Sequence, residues 1–188
     1  MIDKLILGTV QLGLNYGVNN TFGKPSIKTA FDILHLAYEN GIRIFDTAEA
    51  YGDSQEVIGA FIKENPEKKI NIITKLSANN SLNKNVQSFK PKTGMGFFYE
   101  EIIDAKKKGI IKNAGVSLYG NQEINDIIEN YNHFDFIQIP FNLFDNEKKR
   151  KLVIEKARSK NIEVHVRSTF LQGLFFKKLN TIQGKLLP

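Results

Sequence analysis

Apolar residues fall along this chain in two alternating rhythms. Short, nearly continuous apolar runs are separated by longer segments in which apolar positions return every three or four residues. Residues 5–9 (LILGT) are the first short run, and Ile27, Ala30, Phe31, Leu34 and Tyr38 follow at helical spacing. Ser26 stands where a helix would be capped and Gly41 where it would end. Residues 42–45 (IRIF) predict the next strand. Asp53-Ser54-Gln55-Glu56 has the spacing of a capping box, ahead of Val57, Ile58, Phe61 and Ile62. Residues 70–74 (INIIT) predict a third strand.

The same alternation resumes further on. It predicts a helix near 97–108 closed by Gly109, a strand at 113–117 and a helix near 122–130. A strand at 134–139, a helix near 146–160, a strand at 162–167 and a last helical segment over 173–179 follow. Strands separated by about ten or more helical residues need crossover connections, so the six strands should run parallel. Residues 77–96 break the rhythm: they are polar, rich in Asn, Ser and Lys, and hold no strand-like run. A linker of about this length without structure is uncommon in a compact domain. It predicts either a mobile loop or a place where a strand–helix unit has been lost.

Composition narrows the classes. The chain has 188 residues, 41% of them hydrophobic, which suits one core and one domain over 1–188. No run approaches the ~20 apolar residues of a membrane span, so no membrane partner is expected. The first residues, MIDKLILGTVQLG, make a poor signal peptide because an acid sits at position 3 and the apolar run is short. Cysteine is absent, which excludes a disulfide scaffold, a thiolate zinc site and a cysteine nucleophile, and allows a reducing, cytoplasmic setting. The net charge is +6 and the pI about 9.3. The basic clusters Lys106-Lys107-Lys108 and Lys148-Lys149-Arg150-Lys151 lie in helical segments, on what would be their outer faces, mixed with acids. They read as solvated faces, and no nucleic-acid partner is expected.

The candidate chemistry sits at strand ends. Residues 46–52 (DTAEAYG) follow the strand IRIF, and Thr74-Lys75 closes the strand INIIT. In a parallel sheet, groups at the carboxyl ends of strands share one rim, where ligands bind. Asp46, Tyr51 and Lys75 therefore belong on one side. A phenol is a weak acid at neutral pH, with an ordinary pKa of about 10. A neighbouring ammonium favours the phenolate, and a carboxylate keeps the ammonium charged and oriented. Read alone, the same three residues also fit an ion pair beside a core tyrosine. Gln138, a polar residue inside an apolar strand, reads as pocket-facing. His35 should be exposed, His133 lies before its strand on the opposite rim, and His165 reads as a core or lining residue. Gly59 reads as a site of close helix packing.

These residues carry a resemblance. Gly8-Thr9 with Gly13, the stretch 41–59 (GIRIFDTAEAYGDSQEVIG), 72–75 (IITK), 113–117 (NAGVS) and 136–142 (FIQIPFN) together resemble the aldo-keto reductases. That family comprises NADPH-dependent carbonyl reductases built on an eight-stranded (β/α) barrel. The resemblance implies that Tyr51 protonates the carbonyl oxygen of a small aldehyde or ketone, that Lys75 lowers its pKa, and that Asp46 pairs with Lys75. It implies an NADP(H) cofactor, with Ser117 and Gln138 on the nicotinamide carboxamide and Gly8 and Thr9 beside it. Arg167 and Ser168 fall where the family has a ring-stacking aromatic and the loop that holds the pyrophosphate. Arg167 departs from the usual tyrosine, although a guanidinium plane also stacks on rings.

Two units of the family pattern are not found. The fourth strand ends in a histidine that orients the carbonyl; here the chain passes from Lys75 into the polar linker, with the junction near Lys90-Pro91. The eighth unit, which grips the adenosine 2′-phosphate, is also missing. A barrel of this type typically takes ~250 residues, with ~200 as the lower end. The expected fold is therefore an incomplete TIM (β/α) barrel with about six parallel strands, the linker at 77–96 replacing one βα unit. Its open strand edges could pair two copies into a homodimer. The rival to an enzyme is a catalytically impaired or inactive scaffold that binds a nucleotide, a sugar or a protein.

Overall fold

Each short apolar run forms a strand in the computed structural model, which describes residues 4–18, 20–76, 95–145 and 147–177. The chain divides into two units, residues 1–87 and 88–188.

The first unit contains β1 (Leu7–Gly8), α1 (Val10–Gly13), α2 (Ile27–Glu39), β2 (Ile44–Asp46), α3 (Ser54–Glu64) and β3 (Asn71–Ile73). Its strands lie in the order β1-β2-β3, all parallel. Asp46, on the central strand, is opposite Gly8 on one side and Ile73 on the other. The apolar stripes of α2 and α3 meet over this sheet, and Leu34, Phe45 and Phe61 are fully buried there. Phe31 packs edge-on against Phe61, with ring centroids 5.4 Å apart. Truncating such a phenylalanine to alanine costs about 3–5 kcal/mol. Ser26 caps α2 as the sequence predicts, its hydroxyl accepting from the Thr29 N–H at 3.2 Å. Gly41 ends the helix with φ +88°, a conformation that glycine adopts at no steric cost.

The second unit contains α4 (Met95–Lys107), β4 (Gly115–Ser117), α5 (Asn121–Asn130), β5 (Phe136–Pro140), α6 (Glu147–Ser159) and β6 (Glu163–Arg167). The strands run parallel in the order β4-β5-β6. Ile137 and Ile139 alternate onto the face covered by Ile124, Ile127, Ile128, Val153 and Ala157. Phe136 and Gln138 therefore belong to the opposite face. A Cβ on Gly115 would lie 2.5 Å from the Phe136 ring, so glycine there makes room for that ring.

Several expectations are corrected. The last helical segment is a 3₁₀ helix, Leu171–Phe176, interrupted by left-handed Gln172 and Gly173. Asp53 sits at the N-cap of α3 but makes no side-chain cap bond; its φ/ψ of −93°/22° are not the extended ones of a capping residue, and Lys24 holds its carboxylate. Arg150 is 4% exposed rather than on an outer face, because it shares the stripe of Val153 and Ala157. Lys106 donates to Asp135 at 2.6 Å and ties α4 to the start of β5. His35 is half-buried, edge-on to Phe61 at 4.8 Å. Gly59 is exposed, and an added Cβ would meet nothing within 4 Å, so no close packing calls for glycine there. The linker at 77–96 lies outside the described residues apart from 95–96, which begin α4.

Candidate functional site

In the first unit the ladders run on past the ends of the strands. The Thr47 N–H donates to the Ile73 carbonyl at 2.8 Å, and the Glu49 N–H to the Lys75 carbonyl at 3.1 Å. This places the DTAEAYG segment alongside the end of β3. The Lys75 ammonium donates to Asp46 Oδ1 at 2.6 Å and to the Thr47 carbonyl at 2.7 Å. It also lies 5.2 Å from the centre of the Tyr51 ring, within cation–π range. The pair is largely shielded, with side chains 24% and 12% exposed for Lys75 and Asp46. Asp46, Tyr51 and Lys75 are therefore brought together around one nitrogen.

Beneath them lies a layer of buried hydroxyls. Thr9 and Ser54 are fully buried and Thr47 nearly so. Thr9 Oγ1 donates to the Asp46 carbonyl at 2.9 Å, Ser54 Oγ donates to the Thr9 carbonyl at 3.0 Å, and Thr47 Oγ1 donates to Ser54 Oγ at 3.1 Å. The Thr9 and Ser54 hydroxyls are also 2.8 Å apart. Their protons are thus already directed elsewhere, and the layer ties β1, β2 and α3 together under the lysine. Thr9 acts from below, through Asp46. Gly8 is exposed, and a Cβ there would meet nothing within 4 Å.

Two glycines set the height of the Tyr51 turn. A Cβ on Gly13 would come within 1.8 Å of the Tyr51 carbonyl oxygen and 2.5 Å of the Ser54 nitrogen. Gly52, at φ +58°, is equally close to Gly13, its Cβ position lying 2.3 Å from the Gly13 carbonyl oxygen. Backbone meets backbone here, and only hydrogen fits between. Just beyond, the Lys24 ammonium holds the Asp53 carboxylate. That hydrogen bond, with the lysine charge, keeps the Asp53 carboxyl below its ordinary value of 3.8 despite some desolvation.

In the second unit Ser117, Gln138 and His165 are register partners across β4, β5 and β6. Gln138 is 5% exposed and its Oε1 has no hydrogen-bond partner. The His165 ring stacks on Phe136 at 4.5 Å, with Nε2 3.3 Å from Glu163 Oε1, and its Nδ1 is also without a partner. Arg167 lies two residues further along the same face, its guanidinium 4.1 Å from the centre of the Tyr119 ring. Buried Arg150 donates to the Tyr119 carbonyl at 2.7 Å and to Asn121 Oδ1 at 2.6 Å, which fixes the turn that carries this ring. Ser168 follows in the left-handed region, at φ 60°. Such a backbone costs about 1–3 kcal/mol in a non-glycine residue, and residues of this kind cluster at ligand sites.

Tyr119 and Arg150 were not legible as site residues. Arg150 stands three residues before Val153 and seven before Ala157, a spacing that would have put it on the buried stripe. Nothing in the local sequence marks Tyr119. Among the described residues, no group of three His, Asp or Glu side chains could hold a metal ion. No described helix is long and apolar enough to cross a membrane.

Comparison with known proteins bears on this arrangement. The profile described as "Aldo/keto reductase family" matches residues 4–95 and 88–185. The two matched segments meet beside Lys90 and Pro91, where the sequence reading puts its missing unit. A solved structure from Pseudomonas aeruginosa, assigned to the aldo-keto reductases, superposes with a TM-score of 0.68 at 23% identity, covering 88% of this chain and 73% of the other. A second structure from the same organism, with the same assignment, gives 0.65 at 23% identity, covering 87% and 71%. No curated relative matches the chain. The structural likeness carries the fold: an incomplete (β/α) barrel, with six parallel strands among the described residues.

Proposed function

Because this chain belongs to the aldo/keto reductase family, we propose that it is an oxidoreductase that reduces a small aldehyde or ketone with NADPH, or runs the reverse oxidation. The observation that supports this reading is the convergence of Asp46, Tyr51 and Lys75, with one ammonium 2.6 Å from the carboxylate and 5.2 Å from the phenol ring.

Tyr51 is the general acid. Its hydroxyl gives a proton to the carbonyl oxygen as negative charge builds there. The phenolate that remains is favoured by the nearby Lys75 ammonium. Asp46 and the Thr47 carbonyl hold that ammonium by two of its three donors, so its position is fixed before substrate arrives. Thr9, Ser54 and Thr47 fix the backbone on which the pair stands.

Bound NADPH would supply the reducing electron pair. The chain has groups that fit it. The unpartnered buried Oε1 of Gln138 would accept from an amide N–H₂ such as that of a nicotinamide carboxamide, and Ser117 is its register partner on β4. Gly8 leaves an open backbone, and Arg167 and Ser168 supply a cation and a strained turn.

The test is the loss of NADPH absorbance with a panel of aldehydes. Turnover by the wild type, lost by at least about 10²-fold in Tyr51→Phe, supports the reading. Turnover unchanged by Tyr51→Phe, or none together with no NADP(H) binding, overturns it. A second reading has its own observation. Among residues 76–132 there is no histidine, so the family's carbonyl-orienting donor has no counterpart there. Loss of one such donor typically costs ~10²–10³ in rate. On this reading the chain binds NADP(H) but turns over slowly, and binding without turnover would identify it.

A further inference from the structure

We propose that Arg167 is an oxyanion-binding residue, whose Nε–Nη2 edge takes two oxygens of a carboxylate or a phosphate. Both nitrogens are buried and donate to nothing. They form the side-on edge of the guanidinium, whose two parallel N–H bonds match the oxygens of such a group. A buried cationic edge without a partner is costly, and an anion relieves that cost.

Among the described residues no carboxylate pairs with Arg167. Arg150, the second guanidinium beside Tyr119, bonds only a backbone carbonyl and the Asn121 side-chain oxygen. One guanidinium therefore lies over the Tyr119 ring and the other holds its backbone carbonyl. Glu163, on the same strand and face, is 3.3 Å from His165 and 75% exposed. Arg167 itself is pre-set for its task. The Tyr119 ring covers one face of its guanidinium at 4.1 Å, and its carbonyl accepts from the Phe141 N–H at 3.1 Å. The side chain as a whole is partly exposed, although these two nitrogens are not.

The anion has two possible sources, a phosphate of the cofactor or a carboxylate on the carbonyl substrate. The inference rests on the proposed function only in placing Arg167 at the ligand site, and it needs no turnover. Calorimetric titration of the full chain in low-salt buffer, with inorganic pyrophosphate in one arm and glyoxylate in the other, tests it. The wild type should bind at least one of them. Arg167→Met should weaken that binding tenfold or more, and Arg167→Lys, which keeps charge but loses the fork, should fall between. Pyrophosphate binding alone assigns the cofactor phosphate; glyoxylate binding alone assigns a substrate carboxylate. Melting without added anion is the control for a structural role, and Arg167→Met should melt no lower than the wild type. Failure of the wild type to bind either anion, equal binding by Arg167→Met, or a clearly lower melting point of Arg167→Met would each overturn the inference. Anion binding by a chain that never consumes NADPH would leave it standing and remove the reductase reading.

Discussion

A hydrogen on Gly13 is all that separates α1 from the Tyr51 turn: a Cβ there would sit 1.8 Å from the Tyr51 carbonyl oxygen. The atom that would be struck is backbone, held in place because the Ser54 N–H donates to that same oxygen at 3.1 Å. Gly13→Ala cannot be absorbed by a rotating side chain. The substitution should cost about 3 kcal/mol, and lower the melting temperature by roughly 6–12 °C. Because the turn carries Tyr51, any carbonyl reduction should fall with it. A Gly13→Ala protein that melts with the wild type would show that the two backbones are not in contact.

Lys75 and Asp46 are coupled, and a double-mutant cycle should reveal it. Asp46 is 9% exposed, so Lys75→Met leaves a nearly buried carboxylate without its cation. Removing one partner of a buried pair costs about 3–5 kcal/mol, and the part-exposure of Lys75 brings the expectation to about 2–3 kcal/mol. Asp46→Asn with Lys75→Met removes both charges and should recover at least about 1 kcal/mol of that loss. Urea unfolding of the four proteins, with unchanged m, measures the coupling. Simple additivity of the two single losses would separate the pair.

How far the sequence leads is clearest at these two places. The strand that ends in Asp46 and the strand that ends in Lys75 were legible, because a run of four or five apolar residues bounded by polar ones has few other uses. Their meeting followed from parallel pairing alone. The four-residue helix Val10–Gly13 was not legible, since periodicity needs more turns than it has. Arg150 was misread because charge was weighed above position: its spacing from Val153 and Ala157 is that of the buried stripe. The left-handed residues after β6 were missed for another reason. Ser168, Leu171 and Gln172 adopt positive φ without being glycine, so composition does not announce them.

The Lys24–Asp53 pair should give the stability an acid limb. The Asp53 carboxyl is held below 3.8, first by its hydrogen bond from Lys24. A group lowered in the folded state stabilises fully above its unfolded value, and that contribution is lost as pH falls through the folded one. The wild type should therefore melt above Asp53→Asn at neutral pH, with the gap closing as pH drops below about 3.8. Because the pair is exposed, salt should also narrow the gap. A gap that persists unchanged to pH 2 would exclude the carboxylate as its origin.

Gln138 should behave in the opposite sense, as a residue whose removal helps the fold and harms the ligand. Its Oε1 is buried, on the face of β5 opposite Ile137 and Ile139 and in the row of Ser117 and His165, and accepts no hydrogen bond. An unsatisfied buried acceptor costs about 1–3 kcal/mol, and replacing it with an apolar group of similar shape removes that cost. Gln138→Met should therefore raise the melting temperature by roughly 2–4 °C, corresponding to about 1 kcal/mol. If the same oxygen accepts from the carboxamide of NADP(H), the variant should bind NADP⁺ about tenfold more weakly. It should bind 2′-phospho-ADP-ribose, which has no carboxamide, as well as the wild type does. Equal weakening toward both ligands would assign the loss to a displaced strand, and a lowered melting temperature would mean that Oε1 has a partner inside the fold.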